Sequence, residues 1–274
     1  MNFDFSVLLS VYYKEKPCFL AASLDSVFSQ SLRSKEIVLV KDGILTPELE
    51  QIISQYQSTY PELKVIPLSQ NRGLGEALNE GLKHCSYELV ARMDTDDIAK
   101  PHRFEKQIEI FRNNPYLNVV GAWIDEFEGT ITNVISARKL PEHHEDIISF
   151  AKSRCPINHP VVMFKKQSVI DAGGYIHFPL FEDYYLWVRM LLNGAKFYNI
   201  QESLLFFRSS PDVYMRRGGF KYAVNEFRLQ KKIRQLKFIT QYVFLKNISI
   251  RFIIRVIPNK LRTLFYKKLL RRNS

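Results

Sequence analysis

The 274-residue sequence predicts an α/β fold in which a doubly wound, mostly parallel sheet is flanked by helices. Two patterns predict it. Short apolar runs of strand length alternate with segments in which apolar residues recur at helical spacing. The first runs are continuously apolar rather than alternating, as in strands that are buried on both faces of a parallel sheet. Residues are 46% apolar and 24% charged, which is typical of a globular chain.

The first β-α-β unit occupies the start of the chain. Phe5–Val11 is the first apolar run. Residues 19–30 then place Leu20, Leu24 and Val27 on one helical face, and residues 36–40 form the second run. Lys41-Asp42-Gly43 marks the end of the second strand, because Asp and Gly favour turns.

The pattern then repeats twice. Pro47 opens a helix whose face carries Leu49 and Ile53, and residues 64–68 supply the third strand. After the turn at 71–75, a further helix leads to the fourth strand at 88–91. A doubly wound sheet places its ligands outside the carboxyl ends of its strands. We therefore expect a site at that edge, although Asp42 and Arg72 are also ordinary turn and surface residues.

Three carboxylates, Asp94, Asp96 and Asp97, follow the fourth strand directly. Clustered carboxylates repel one another unless a cation lies among them, and oxygen ligands with open positions suit Mg²⁺ or Mn²⁺. The sequence therefore predicts a metal site. The alternative is a solvated acidic turn that caps a helix. Gly73 and Gly75 lack the third glycine of the dinucleotide fingerprint, and the chain has no phosphate-binding P-loop.

The cysteines and the hydropathy pattern predict a cytoplasmic protein. Cys18, Cys85 and Cys155 are odd in number and widely spaced, which fits neither a disulfide framework nor a zinc site. The N-terminus carries no signal-peptide pattern, and no charge-free stretch approaches the ~18 residues of a membrane span.

The charge divides the chain into two predicted parts. Residues 216–274 contain 17 Lys or Arg and one acidic residue, a net charge of +16, whereas residues 1–215 carry −5. In the tail, aromatic and aliphatic residues alternate with basic ones, and Pro258 divides the segment. This composition predicts an amphipathic helical tail on an anionic membrane surface. A packed helical subdomain or a protein-binding surface is the alternative.

An ordered series of motifs resembles the nucleotide-sugar domain of family-two glycosyltransferases over about residues 3–210. Its first members are Ser10-Val11-Tyr12, Lys41-Asp42-Gly43, Asn71-Arg72-Gly73, Ala77-Leu78-Asn79-Glu80-Gly81 and Arg92-Met93-Asp94-Thr95-Asp96-Asp97. Downstream members are Pro101 and Arg103 with Gln107, Asn158-His159-Pro160 and Glu182-Asp183-Tyr184-Tyr185-Leu186-Trp187. The resemblance is strongest to bacterial enzymes that extend O-antigens and exopolysaccharides on a lipid carrier. It implies the GT-A fold and an inverting, metal-dependent hexosyltransferase.

The resemblance also implies roles for individual residues. The nucleotide sugar, expected to carry UDP, would contact Val11, Tyr12, Asp42, Arg72, Asp94 and Thr95. Asp96 would bind the metal with support from Asp94, and Asp97 would cap the helix that begins near Pro101. The family usually has two adjacent Asp at the second strand, and Lys41 replaces the first. The uracil contact is therefore expected from Asp42 alone.

The expected acceptor is a saccharide linked to undecaprenyl diphosphate. Asp183 would be the catalytic base, because it lies at the start of a predicted helix within the acidic motif. Glu182, Trp187 and His159 are further acceptor-site candidates, although Trp187 fits the core better and His159 is more often structural. We expect the protein to lie on the inner face of the cell membrane, with no nucleic-acid partner.

Two other functions remain open from the sequence. A sugar-nucleotide pyrophosphorylase uses a related sheet, but it needs a glycine-rich phosphate loop after the first strand, where this chain has Ser10-Val11-Tyr12-Tyr13. A non-catalytic adaptor that binds a membrane or nucleic acid through its basic tail would use the acidic clusters only as helix caps.

Overall fold

The first four strands lie parallel in one sheet, as predicted. The computed structural model describes residues 3–209 and 219–256. In the sheet the order of these strands is β3-β2-β1-β4, with β1 paired in parallel to both β2 and β4. Their bounds are β1 Phe5–Val11, β2 Glu36–Lys41, β3 Leu63–Pro67 and β4 Leu89–Arg92. Because all four run in the same direction, their carboxyl ends share one edge.

Helices connect these strands and cover the faces of the sheet. They are α1 Pro17–Phe28, α2 Pro47–Thr59 and α3 Leu74–His84. A proline occupies the first turn of α1 and of α2, where a missing N–H costs nothing. The hydroxyl of Thr46 accepts a hydrogen bond from Leu49 N at 3.4 Å and caps α2.

The second half of the sheet is mixed. Its order continues from β4 through β8, β6, β9 and β5, and β7 pairs with β6 off this path. The pairs β4–β8, β6–β8, β6–β7 and β5–β9 are antiparallel, whereas β6 and β9 are parallel. The bounds are β5 Ile98–Ala99, β6 Val119–Phe127, β7 Val134–Arg138, β8 Met163–Lys165 and β9 Phe197–Arg208, with α4 Arg103–Asn113, α5 His144–Ala151 and α6 Lys166–Asp171. Strand β9 thereby returns the chain to the acidic turn after β4.

Helix α7 (Glu182–Leu192) is buried on nearly all sides, because residues 184–191 are all buried. One side packs on the sheet through Leu186 and Trp187. The opposite side packs against two tail helices, α8 (Gly219–Gln235) and α9 (Gln241–Val256), through a cluster that includes Tyr184, Tyr185, Val188, Leu229, Ile233, Ile239 and Phe244.

The described part of the tail, residues 219–256, contains two helices, and part of their apolar surface is used inside the protein rather than on a membrane. Asn247 fixes α9 by donating to Lys152 O and to Gln230 Oε1, both at 2.9 Å. The predicted boundary at residue 215 falls in 210–218, and Pro258 falls in 257–274; both lie outside the described residues. Among the helices that the structure describes, none has the length and apolar character needed to cross a bilayer.

Gly81 permits α3 to approach the sheet closely. A Cβ at this position would lie 2.4 Å from Leu8 Cδ1 and 2.8 Å from Val40 Cγ2, and both side chains are buried. In the same helix a Cβ at Gly75 would make contacts of 3.4 Å, which is ordinary van der Waals distance.

We expect Gly81→Ala to lower the free energy of unfolding by about 1–3 kcal/mol, because the added methyl overpacks the core between α3 and the sheet. Gly75→Ala is the matched control. It should be neutral or stabilising, since Ala is favoured over Gly in a helix by about 1 kcal/mol. Urea unfolding of both variants measures the difference, and an equally stable Gly81→Ala protein would contradict the close packing.

Candidate active site

The loops after β1, β2 and β3 meet at the carboxyl edge of the sheet, as predicted. Asp42 N donates to Val11 O at 2.8 Å, which joins the first two strand ends. The Asp42 carboxylate is buried and accepts hydrogen bonds from Arg72 N at 2.7 Å and Gly73 N at 3.0 Å. Asp42 therefore orders the third loop, and each of its oxygens retains a second acceptor lone pair.

Gly43 makes this junction possible. Its φ is +89°, and a Cβ there would lie 2.6 Å from Asn71 N. Next to this ordered backbone, the Tyr12 side chain and Arg72 are exposed, and Val11 is fully buried. Of the predicted nucleotide residues, Tyr12 and Arg72 thus present exposed side chains, whereas Val11, Asp42 and Thr95 are buried beneath them.

The acidic turn after β4 brings three carboxylates together. One oxygen from each of Asp94, Asp96 and Asp97 lies within 4.8 Å of the other two. Burial, with Asp94 and Glu15 nearby, raises the pKa of Asp96 to about 7. Burial and the neighbouring Asp96 and Asp94 also raise the pKa of Asp97 well above its usual value. The folded protein therefore concentrates negative charge here at a cost in free energy.

A fourth carboxylate, which the sequence analysis did not select, lies beside this cluster. Glu15 accepts a hydrogen bond from Thr95 Oγ1 at 2.9 Å, and burial raises its pKa. Glu15 follows the first strand, at the same sheet edge as the other site residues. Its position directly after β1 is therefore the sequence feature that could have identified Glu15 as a site residue.

Two arginines compensate the cluster in part. Arg92 is 1% exposed and pairs with Asp94 Oδ1, while its Nε and Nη1 have no partner in the part of the chain that the structure describes. Arg208, at the end of β9, donates from Nε to Asp96 O at 2.9 Å. Its guanidinium lies 3.9 Å from the centroid of the Phe19 ring and 4.7 Å from that of Phe127.

The expectation that Asp97 caps the following helix is wrong. Asp97 is fully buried, and its Oδ1 accepts a hydrogen bond from Arg208 N at 2.8 Å. Helix α4 begins later, at Arg103, with His102 as its N-cap residue and no side-chain cap. The buried Asp97 Oδ2 has no hydrogen-bond partner among the described residues, so Asp97 joins Asp94 and Asp96 as a candidate ligand.

Arg103 and Gln107, from the downstream motif, stabilise the acidic turn from its buried side. Arg103 Nη2 donates to Arg92 O at 2.5 Å, and Gln107 Nε2 donates to Val161 O at 2.8 Å. Both side chains are fully buried. They act on the site by fixing backbone carbonyls, without reaching solvent.

The acidic pair at the start of α7 lies half-buried at the same end of the molecule. Asp183 Oδ2 accepts a hydrogen bond from Cys155 Sγ at 3.5 Å. Burial and the Asp183 charge raise the pKa of Cys155 well above its usual value, so that the thiol remains a donor. Burial, with Asp183 adjacent, raises the pKa of Glu182.

Tyr175 is hydrogen-bonded to two other parts of the site. Arg92, Asp183 and Asp94 all influence its phenol electrostatically, although burial is the main reason that its pKa is raised. Tyr175 N donates to Asn79 Oδ1 at 2.7 Å, and its hydroxyl bonds His159 Nε2 at 2.9 Å. A Cβ at Gly75 would lie 3.4 Å from Tyr175 Cβ and Glu182 Cγ, an ordinary van der Waals distance, so that the start of α3 lies beside both residues. Sequence spacing alone did not indicate this role for Tyr175.

The structure separates the three weaker acceptor candidates. Trp187 is fully buried in the core, so that it cannot stack on a sugar ring; the core alternative is correct. His159 is half-buried, and burial together with Arg92 lowers its pKa well below the usual value. His159 therefore holds Tyr175 as a neutral imidazole. Glu182 remains next to Asp183 at the surface of the site.

The oxygen-only donor set fits a hard divalent cation. Three carboxylates within 4.8 Å of one another, one with an unpartnered buried oxygen, suit Mg²⁺ or Mn²⁺. A cation bound here would also relieve the repulsion that raises the pKa values of Asp96 and Asp97.

Comparisons with known proteins agree on one family. The family model described as Glycosyl transferase family 2 matches residues 6–172. The Escherichia coli UDP-Gal:alpha-D-GlcNAc-diphosphoundecaprenol beta-1,3-galactosyltransferase is 37% identical over 98% of this chain and 97% of its own length. The amylovoran biosynthesis glycosyltransferase AmsE of Erwinia amylovora is 39% identical over 96% of this chain and 98% of its own.

The solved structures agree on the fold. The crystal structure of S. aureus TarS 1–349 in complex with UDP-GlcNAc has a TM-score of 0.65 at 18% identity, covering 97% of this chain and 76% of that chain. TarS has the GT-A fold, and the predicted fold class is thereby confirmed.

We expect Asp96→Asn to stabilise the metal-free protein above neutral pH. A carboxyl whose folded pKa lies near 7, above its unfolded value, contributes stability below pH ~4 that is lost as pH rises toward 7. Removing this loss of about 4 kcal/mol should raise the melting temperature in EDTA at pH 8 by about 10 °C. Manganese should then stabilise the wild type more than the variant.

The surface substitution Asp171→Asn is the control for this experiment and should follow the wild type at every pH. If Asp96→Asn melted at or below the wild-type temperature in EDTA at both pH 5 and pH 8, repulsion within the cluster would not be a destabilising force.

Proposed function

The chain belongs to glycosyl transferase family 2, and on that basis we propose that it transfers a hexose from a UDP-sugar to a diphosphoundecaprenol-linked saccharide in the synthesis of a surface polysaccharide. The relative named for UDP-Gal and a diphosphoundecaprenol acceptor supports both substrates, since it matches nearly the whole chain. The observation that carries the proposal is the cluster of Asp94, Asp96 and Asp97, within 4.8 Å of one another, at the sheet edge where the loops after β1, β2 and β3 meet.

In this proposal the loops at the sheet edge hold the donor. Tyr12 packs against the base, Asp42 uses a remaining lone pair to accept a hydrogen bond from the uracil, and Arg72 lies near the base or diphosphate. Thr95 and Val11 line the buried base of the nucleotide-sugar site. Each of these roles is consistent with the exposure and the hydrogen bonds described above.

Asp96, with Asp94 and Asp97 in support, would hold Mg²⁺ or Mn²⁺. The bound ion supplies Lewis-acid stabilisation of the negative charge that develops on the leaving diphosphate. Arg92 keeps Asp94 oriented, and Arg208 fixes the Asp96 carbonyl, so that the carboxylates are positioned before substrates arrive.

Asp183 accepts the proton of the attacking acceptor hydroxyl. Its Oδ2 accepts from Cys155, and Oδ1 carries the remaining acceptor capacity for a hydroxyl within hydrogen-bond reach. As the hydroxyl attacks the anomeric carbon, its proton passes to Asp183 and the UDP departs from the opposite face. Direct displacement with one base inverts the anomeric configuration.

Asp183→Asn should reduce kcat about 10²–10⁴-fold, because the amide cannot accept the proton. Transfer from UDP-galactose to N-acetylglucosamine linked through diphosphate to an alkyl chain measures the effect, with and without EDTA. A panel of other UDP-sugars should accompany it. Transfer should also be abolished by Asp96→Asn, and by the addition of EDTA to the wild type.

Asp146→Asn is the matched control, because Asp146 is an exposed aspartate in the first turn of α5, as Asp183 is in the first turn of α7. It should retain wild-type activity. If the Asp183 and Asp146 variants were equally active, Asp183 would be only a charged residue in the first turn of its helix, and the catalytic assignment would be wrong.

The tail supports a further part of the proposal, peripheral attachment to the inner face of the membrane. Tyr242, Leu245 and Ile250 are 75%, 53% and 46% exposed on α9, with Lys246 between them. Apolar tips beside basic residues are typical of a helix that lies on an anionic bilayer.

We expect Tyr242→Ser combined with Leu245→Ser to weaken binding to phosphatidylglycerol vesicles about tenfold, because their apolar burial in the bilayer is lost. Tyr116→Ser, a 66% exposed tyrosine outside the tail, is the control. Co-sedimentation of the full chain measures binding. Unchanged binding of the double variant would show that this face of α9 does not reach the bilayer.

A further inference from the structure

A basic groove of about 400 Å³ runs between the loop that precedes α7 and the side of α8. His177, Phe178 and Pro179 line one side of the groove, and Arg228, Lys231 and Lys232 line the other. The groove lies outside the nucleotide loops and the acidic turn, and the proposed mechanism leaves it unused.

The charged side chains of the groove are all basic. Lys231 and Lys232 lie three and four residues after Arg228, so that all three share one face of α8. Like charges at these spacings repel one another and destabilise a helix. All three side chains are exposed, and an anion in the groove would remove that repulsion.

The groove adjoins the proposed acceptor site. Its loop wall, His177 to Pro179, leads directly into α7, and Pro179 precedes Asp183 by four residues, at most about 14 Å along the chain. His177 is close enough to Glu182 to influence its pKa electrostatically. The ring of Phe178 packs on Tyr185 of α7 with centroids 5.5 Å apart, which ties the loop to this helix.

We propose that this groove binds the diphosphate that links the acceptor saccharide to its lipid. The inference rests on the proposed function, because it takes a lipid-diphosphate acceptor as the substrate. Lysine and arginine side chains bind phosphate oxygens through charge-assisted hydrogen bonds. With the diphosphate between Arg228, Lys231 and Lys232, the attached sugar extends toward Asp183, and Phe178 and Pro179 supply an apolar wall.

This arrangement distinguishes the two diphosphates of the reaction by electrostatics. The acidic turn repels a bare diphosphate, so that donor binding there depends on a cation. The basic groove attracts a diphosphate directly. Acceptor binding is therefore independent of divalent metal, whereas donor binding requires it.

The test compares two acceptors in the full-length protein. One is N-acetylglucosamine linked through diphosphate to a short alkyl chain, and the other is the alkyl glycoside without the diphosphate. In the wild type the diphosphate should raise kcat/KM at least about tenfold, the value of one charge-assisted contact of about 1.4 kcal/mol. Lys231→Gln with Lys232→Gln should raise KM for the diphosphate acceptor about tenfold.

The double variant should leave the KM for UDP-galactose, kcat and activity on the alkyl glycoside unchanged. Lys35→Gln, an exposed lysine just before β2 and outside both the groove and the tail, is the control and should behave as the wild type. An unchanged KM for the diphosphate acceptor, or an equal loss on both acceptors, would overturn the proposal.

A binding measurement separates this inference from the proposed function. In calorimetry with EDTA present, the wild type should bind the diphosphate acceptor, and the dissociation constant of the double variant should be about tenfold higher. If the wild type binds but transfers no sugar from any UDP-sugar, the groove assignment stands and the proposed reaction fails. If the variant loses only phosphatidylglycerol vesicle binding and keeps the acceptor preference, the groove is a lipid-headgroup site and the proposal is wrong.

Discussion

The hydrogen bond from Arg208 N to the buried Asp97 carboxylate is the interaction on which the site depends most. It joins the turn after β4 to the end of β9, two segments more than 100 residues apart in the chain. Arg208 also bonds the Asp96 carbonyl from the same position. Both halves of the sheet therefore hold the acidic turn in position. Its carboxylates remain close despite their repulsion, because these hydrogen bonds fix the backbone that carries them.

The sequence predicted the first half of the fold well, because its information is local. Continuous apolar runs such as Phe5–Val11 and helical spacing such as Leu20, Leu24 and Val27 each specify one element. The mixed half could not be derived in this way. Pairing of β4 with β8 joins Leu89 to Lys165, and no local pattern encodes contacts of that separation. The tail shows a related limit. Apolar residues such as Ile239 and Phe244 fit a membrane-facing surface or a protein core equally well. Their packing against α7 is a tertiary contact that the local sequence does not encode.

For the candidate site, position after a strand was a sufficient guide to Asp42 and to Asp94, Asp96 and Asp97. It was insufficient for residues that act through other residues. Arg92 is the last residue of β4 rather than part of the loop after it, and Tyr175 is positioned by Asn79, 96 residues earlier. Asp97 was misassigned as a helix cap, since cap and ligand roles share residue types and differ only in burial.

The double burial of α7 has a consequence for how acceptor recognition diverges among related chains. This helix begins with Glu182 and Asp183 and packs on the sheet through one side and on α8 and α9 through the other. A substitution that reshapes its inner or outer side therefore moves the acidic pair relative to the donor loops. On the proposed assignment of Glu182 and Asp183 to the acceptor site, acceptor recognition is thereby linked to the tail helices: a chimera that exchanges α7 keeps the packing of this helix only if α8 and α9 are transferred with it.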